Sequence, residues 1–170
     1  NSKSQKLRLA IADEVLRLKF PLVQTDSLLG RLREVIADKR GGRFAYAIRN
    51  TDRSIGAHLS GRVARLHGNH GMAAAPLHLR FTGTAGQSFG AFNAGGLLME
   101  LEGEANDYVG KGMAGGRLVV RPPRGARVEA PHTPIIGNTC LYGATGGELF
   151  AAGRAGERFG VRNSGALAVI

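Results

Sequence analysis

The 170-residue sequence predicts a mainly β chain, a parallel β-helix of glycine-rich coils about 20 residues long, behind a short N-terminal α-helical segment. Three observations carry that expectation. Helical spacing of apolar residues is confined to the start of the chain. Beyond it, short apolar runs alternate with turn-rich stretches. Many of those turns share one glycine-anchored pattern.

Taken in order, Lys6 to Lys19 places Leu7, Ile11, Val15 and Leu18 on one helical face, and Pro21 closes that helix. A second helix is expected from Thr25 or Asp26, whose side-chain oxygens can accept first-turn N–H groups. Leu28, Leu29, Leu32, Val35 and Ile36 form its apolar face, and Gly41-Gly42 is the expected stop. From Phe44 onward helical periodicity is not expected. The runs Phe44–Ile48, Val63–Leu66, Leu77–Phe81, Leu97–Leu101, Leu118–Val120, Leu149–Ala152 and Ala166–Ile170 read as strands. Composition therefore divides the chain into a helical segment, 1–43, and a β-helix domain, 44–170.

The turns align on anchor glycines Gly61, Gly95, Gly115, Gly146 and Gly165, each preceded by a small residue (Ser60, Ala94, Ala114, Thr145, Ser164). Anchor spacings of 34, 20, 31 and 19 residues give a basic unit of 19–20, with extra chain in two gaps. In a solenoid each coil buries its face against its neighbours, so identical corners must stack. A glycine fits a corner that needs positive φ or leaves no room for a Cβ between coils.

Glycine and charge are distributed in opposite ways. Residues 83–170 hold 19 of the 26 glycines, whereas residues 1–82 carry a net charge of +9 against +1 for the remainder. The single cysteine, Cys140, excludes an internal disulfide, a four-cysteine zinc site and a self-contained iron–sulfur cluster. No run approaches the roughly 20 apolar residues that span a bilayer, and neither a signal peptide nor membrane attachment is expected. A cytoplasmic location is the resulting expectation. The basic residues of the first half lack interleaved aromatics, so a base-stacking nucleic-acid surface is not expected.

Several motifs look like chemistry and fail on context. Gly110-Lys-Gly-Met-Ala-Gly115 is a literal GxGxxG, but a strand-like Arg117-Leu-Val-Val-Arg121 follows where a dinucleotide loop needs a helix. It also lacks the Ser or Thr that follows the lysine of a phosphate loop. His58, His67, His70 and His78 lack nearby Cys, Asp or Glu partners for a metal. Cys140 sits beside a repeated corner and reads as a small buried residue. Glu100, Glu102 and Glu104 share one strand face and read as a solvated exterior. No catalytic, cofactor-binding or metal-ligating residue is expected; the anchor glycines are the expected structural sites.

Four strings add a resemblance. Ile48-Arg-Asn-Thr-Asp-Arg-Ser-Ile-Gly-Ala-His-Leu-Ser-Gly-Arg62, Phe81-Thr-Gly-Thr-Ala-Gly-Gln-Ser-Phe-Gly90, Gly103-Glu-Ala-Asn-Asp-Tyr-Val-Gly-Lys-Gly-Met-Ala-Gly-Gly116 and Pro134-Ile-Ile-Gly-Asn-Thr-Cys-Leu-Tyr-Gly-Ala-Thr-Gly-Gly147 closely resemble the C-terminal domain of the glutamate synthase large (alpha) subunit. The resemblance runs from about Ala45 to Ile170. It implies a right-handed β-helix, not itself catalytic, packed against glutaminase and flavin-binding domains. The parent enzyme it implies makes glutamate from glutamine and 2-oxoglutarate, with FMN, an iron–sulfur cluster and an outside electron donor. The glutaminase nucleophile, the cluster cysteines and the flavin barrel have no counterparts in this chain, which begins Asn1-Ser2 and ends at Ile170 inside a coil. An open coil end is expected to self-associate or to dock on a partner. The alternative reading is a free-standing homologue that docks on an acidic partner through its basic first half.

Overall fold

In β2 (Leu77–Ala85) and β3 (Leu97–Ala105), buried Leu77, Leu79, Phe81, Leu97, Met99 and Leu101 alternate with outward His78, Arg80, Thr82, Leu98, Glu100 and Glu102. That period of two gives each strand one core face and one outer face. The computed structural model describes residues 25–126 and 132–170. The helix expected over Lys6–Lys19 lies outside the described residues.

The remaining strands are β1 (Gly42–Ile48), β4 (Ala114–Arg121), β5 (Pro134–Ile136), β6 (Gly146–Ala151), β7 (Arg154–Ala155) and β8 (Leu167–Val169). They form one sheet in the order β1-β2-β3-β4-β6-β8, with β5 paired to β3 and β7 paired to β5. Every pairing among the described residues is parallel. The protein is thus mainly parallel β with two short helices. Across the inner face Leu79, Met99, Leu118 and Leu149 lie in register, as do Phe81, Leu101, Val120 and Ala151. Tyr46 stacks on Phe81 at 5.9 Å between ring centroids, and Phe89 meets Phe81 edge-on at 5.5 Å.

The first helix, α1 (Thr25–Ala37), forms where its apolar spacing predicts. Leu28, Leu32 and Ile36 are buried in the same core cluster as the strands. Its stop is earlier than Gly41-Gly42. Lys39 adopts a left-handed φ of 51°, Lys39 N–H donates to Ile36 O, and Arg40 N–H donates to Val35 O. That pairing is a Schellman-type ending built on lysine, and Gly42 instead opens β1.

A second helix, α2 (Ala57–His67), was not expected. It overturns two sequence assignments: Val63–Leu66 is helical rather than a strand, and Gly61 is a helix residue rather than a corner. A Cβ placed on Gly61 meets nothing within 4 Å. The physical reason is an insertion. Ile55-Gly56 occupies the corner beneath Phe89-Gly90, with Gly90 N–H donating to Ile55 O at 2.9 Å. The chain then leaves the stack as α2, packs Leu59 and Val63 into the core beside α1, and rejoins at Gly71-Met72. There Met72 N–H donates to Gly95 O at 2.8 Å.

The other anchors are sites of close backbone approach. A Cβ on Gly95 would lie 2.9 Å from His70 O, one on Gly115 3.0 Å from Gly95 N, and one on Gly146 2.8 Å from Ala114 O. One on Gly165 would collide with Thr145 O. Left-handed φ belongs to the next residue in three of these corners: Gly96, Gly116 and Gly147. Gly116 combines a φ of 71° with a Cβ position 2.6 Å from Ala94 O and in collision with Leu97 O. Gly116→Ala is therefore expected to destabilise the fold by about 3 kcal/mol or more. Gly61→Ala, in an open helical site, should stabilise it by about 0.5–1 kcal/mol. Urea unfolding of the two variants checks the contrast, and equal effects would contradict the assignment of Gly61 to a helix.

Candidate functional site

Each corner of the stack carries alternating left-handed residues at Ser88, Gly90 and Phe92, then Tyr108, Gly110 and Gly112, then Thr139, Leu141 and Gly143, then Arg158, Gly160 and Arg162. This alternation turns successive N–H groups toward opposite neighbours. Gly110 N–H donates back to Phe89 O at 2.9 Å, and Gly112 N–H donates forward to Tyr142 O at 2.8 Å. Leu141 repeats the backward bond to Val109 O, and Gly143 repeats the forward bond to Val161 O. The amides of the literal GxGxxG are therefore consumed by the stack. The residues that follow form β4, so no helix N-terminus is available to hold a pyrophosphate.

Cys140 lies in the apolar column that runs Ile55, Phe89, Val109, Cys140 at these corners. It is fully buried, and its thiol donates to Gly137 O at 3.2 Å. Burial pushes the thiol up to about 11, away from thiolate chemistry near neutral pH. Of the histidines, His67 is engaged structurally: its Nε2–H donates to Ile36 O at 2.6 Å, tying the end of α2 to the end of α1. Among the described residues no group of three or more His, Cys, Asp or Glu converges on a common point.

The three glutamates of β3 are on the outer face, as their alternation implies, but they are paired rather than simply solvated. Arg121 Nε donates to Glu100 at 2.8 Å, and Arg121 Nη2 donates to Glu102 at 2.9 Å. Arg80 adds a second contact to Glu102 at 3.3 Å, and Arg124 N–H donates to its other oxygen at 3.0 Å. The Arg124 amide, then Arg121 and Arg80, hold the Glu102 carboxyl below its ordinary range against the opposing effect of burial. Thr84 donates to Glu104, and Arg117 to Glu148 in the next strand over. The outer face is thus a lattice of cross-strand charge pairs.

Sequence reasoning missed Asn93. It is fully buried, and its Nδ2 group donates to Leu97 O at 3.1 Å and to Gly115 O at 3.0 Å, clamping two successive corners together. The available signal was Asn163 at the equivalent place, whose Nδ2 group donates to Ala166 O at 2.9 Å. Also missed was a groove on the outer sheet face, with a volume of about 480 Å³, bordered by Arg43, His78, Arg80 and Arg117.

The fold and these residues define a parallel, glycine-cornered β module whose polar groups are spent on stacking and cross-strand pairing. The sequence pattern of the family described as the GXGXG motif matches residues 25–170, and the chain belongs to that family. It is 53% identical over 139 residues to ferredoxin-dependent glutamate synthase 2 of Synechocystis sp., covering 82% of this chain and 9% of that protein. It is 55% identical over 128 residues to the glutamate synthase (NADPH) large chain of Azospirillum brasilense, covering 75% of this chain and 8% of the relative. A third relative, glutamate synthase (NADH) of Saccharomyces cerevisiae, is 51% identical over 124 residues, which is 73% of this chain and 6% of that one. The chain spans less than a tenth of the length of these curated relatives.

The buried thiol generates a prediction. Cys140 holds its proton in the folded state up to about pH 11, whereas an unfolded thiol releases it near its ordinary 9.0. Between those values the unfolded chain binds fewer protons, so stability falls as pH rises, by about 3 kcal/mol at most. Denaturant titrations at pH 8, 9.5 and 11 should show the decline, and Cys140→Ala should flatten it. Iodoacetamide at pH 8 should label the folded chain far more slowly than the urea-unfolded chain.

Proposed function

We propose that the chain is the β-helix domain of a glutamate synthase large chain, a right-handed solenoid that holds neighbouring domains in place and performs no chemistry itself. The observation that carries this reading is the match, above 50% identity, between the stacked-corner segment and one short piece of glutamate synthases whose names specify three different electron donors. A segment common to ferredoxin-, NADPH- and NADH-dependent proteins suits a role independent of the donor. The corner columns support the solenoid: hydrogen bonds link residues about one coil apart at the same place in successive turns. In this reading the β-helix covers about residues 44–170, with α1 packed on its first coil.

FMN and the iron–sulfur cluster of such an enzyme are assigned to its other parts. A cluster takes several thiolates, and this chain has one thiol, buried and donating to Gly137 O. A cytoplasmic location for the parent enzyme is part of this proposal. No helix among the described residues is long and apolar enough to cross a membrane.

A domain exchange tests the reading. Replacing the matching segment of the Azospirillum brasilense large chain with residues 25–170 should give a soluble enzyme that still forms glutamate from glutamine and 2-oxoglutarate. The 170-residue chain alone should show no glutaminase turnover and no 2-oxoglutarate-dependent NADPH oxidation. Turnover by the isolated chain would sink the scaffold role, and a folded but inactive exchange would sink the domain assignment.

A further inference from the structure

The groove on the outer sheet face is built from two rows of residues in register. Arg43, His78, Leu98 and Arg117 align across β1 to β4, and Ala45, Arg80, Glu100 and Val119 align beside them. Leu98 and Val119 are half-buried and supply an apolar floor between cationic edges. Among the described residues, neither Arg43 nor His78 has an ion-pair partner. Arg80 and Arg117 each have one, yet their side chains stay 47% and 50% exposed. The one carboxylate on the border, Glu100, faces the Arg121 guanidinium at 2.8 Å. The groove therefore presents an excess of positive charge around an apolar strip, on the face opposite the core.

We propose that this groove is a docking surface for an extended acidic protein segment of the pattern acidic–x–apolar–x–acidic. The spacing argues for that form. Strands lie about 4.8 Å apart, so Arg43 and Arg117 are separated by roughly 14 Å across the sheet. An extended segment rises about 3.4 Å per residue, so side chains at i and i+4 stand about 14 Å apart on one face. Acidic residues at those places meet Arg43 and Arg117, and the apolar residue between them lands beside His78 and over Leu98. Arg43, Arg80 and Arg117 are all exposed, so a small free anion held by them would stay hydrated and gain little. A covering polypeptide excludes water and strengthens the same pairs. Phe44 is the only aromatic side chain lining the groove among the described residues, which argues against a base-stacking track.

The proposal rests on reading the chain as one domain of a larger polypeptide, which supplies a partner surface nearby. It is tested on the 170-residue chain with a fluorescein-labelled peptide, acetyl-Ser-Glu-Ser-Leu-Ser-Glu-Ser-amide, by fluorescence anisotropy. The expected result is saturable binding that weakens at least tenfold in the Arg43→Gln/Arg117→Gln double variant, but not in Arg154→Gln. The same peptide with Gln in place of Glu should bind at least tenfold more weakly to the parent chain, a comparison that needs no folded variant. Equal binding of the two peptides, or an undiminished double variant, overturns the proposal. So does displacement of the peptide by millimolar inorganic phosphate, which marks a free-anion site, or by an oligothymidylate, which marks a nucleic-acid surface. Charge-dependent peptide binding alongside an inactive domain exchange removes the glutamate synthase assignment and leaves the groove. An active exchange without peptide binding removes the groove alone.

Discussion

Backbone lies against backbone at successive corners, and most of the structure follows from that contact. Where one corner sits on the next, the space between them is about that of a hydrogen bond, so a Cβ has nowhere to go at Gly96 or Gly116. The same closeness lets each corner donate N–H groups both up and down the stack, and buried Asn93 and its counterpart Asn163 add side-chain bonds to corner carbonyls. Inward residues such as Phe89, Val109 and Cys140 are then carried into one apolar column with no freedom to face solvent.

This constraint explains why features that resemble catalytic machinery are silent among the described residues. Gly110 and Gly112 have the spacing of a phosphate-binding loop, but their amides are already bonded to Phe89 and Tyr142. The Cys140 thiol is held in a protonated, water-free position by the neighbours that make it a good core residue. What the stack leaves available is its exterior, where Arg121, Glu100 and Glu102 knit adjacent strands. A surface of that kind suits contact with other protein.

Strands β2, β3, β4, β6 and β8 could be placed from sequence because their apolar runs recur after similar glycine-rich turns, and a repeat averages out local ambiguity; β5 and β7, three and two residues long, carry too few residues to show a pattern. Helix α2 could not, because the string Gly56-Ala-His-Leu-Ser-Gly61 happens to match the corner pattern. Its true signal was the spacing of Leu59, Val63 and Leu66, only three apolar residues, two of which are buried. Lys39 as a helix terminator was invisible because left-handed lysine is uncommon and two glycines stood close by. The groove could not be read without register: Arg43 and Arg117 are far apart in sequence, and only the pairing of four strands brings them into one row.

Helix α2 enters and leaves the stack between Gly56 and Gly71 while the bonds at Ile55 and Met72 to the following corner stay intact. The excess chain between β4 and β5 likewise leaves the pairing of β4 with β6 in place. Corners of this architecture thus behave as ports, at which a lineage can splice in new segments without recutting the core. Evolutionary novelty in such a protein should accumulate as appendages at the turns, with strand length and inward composition changing little.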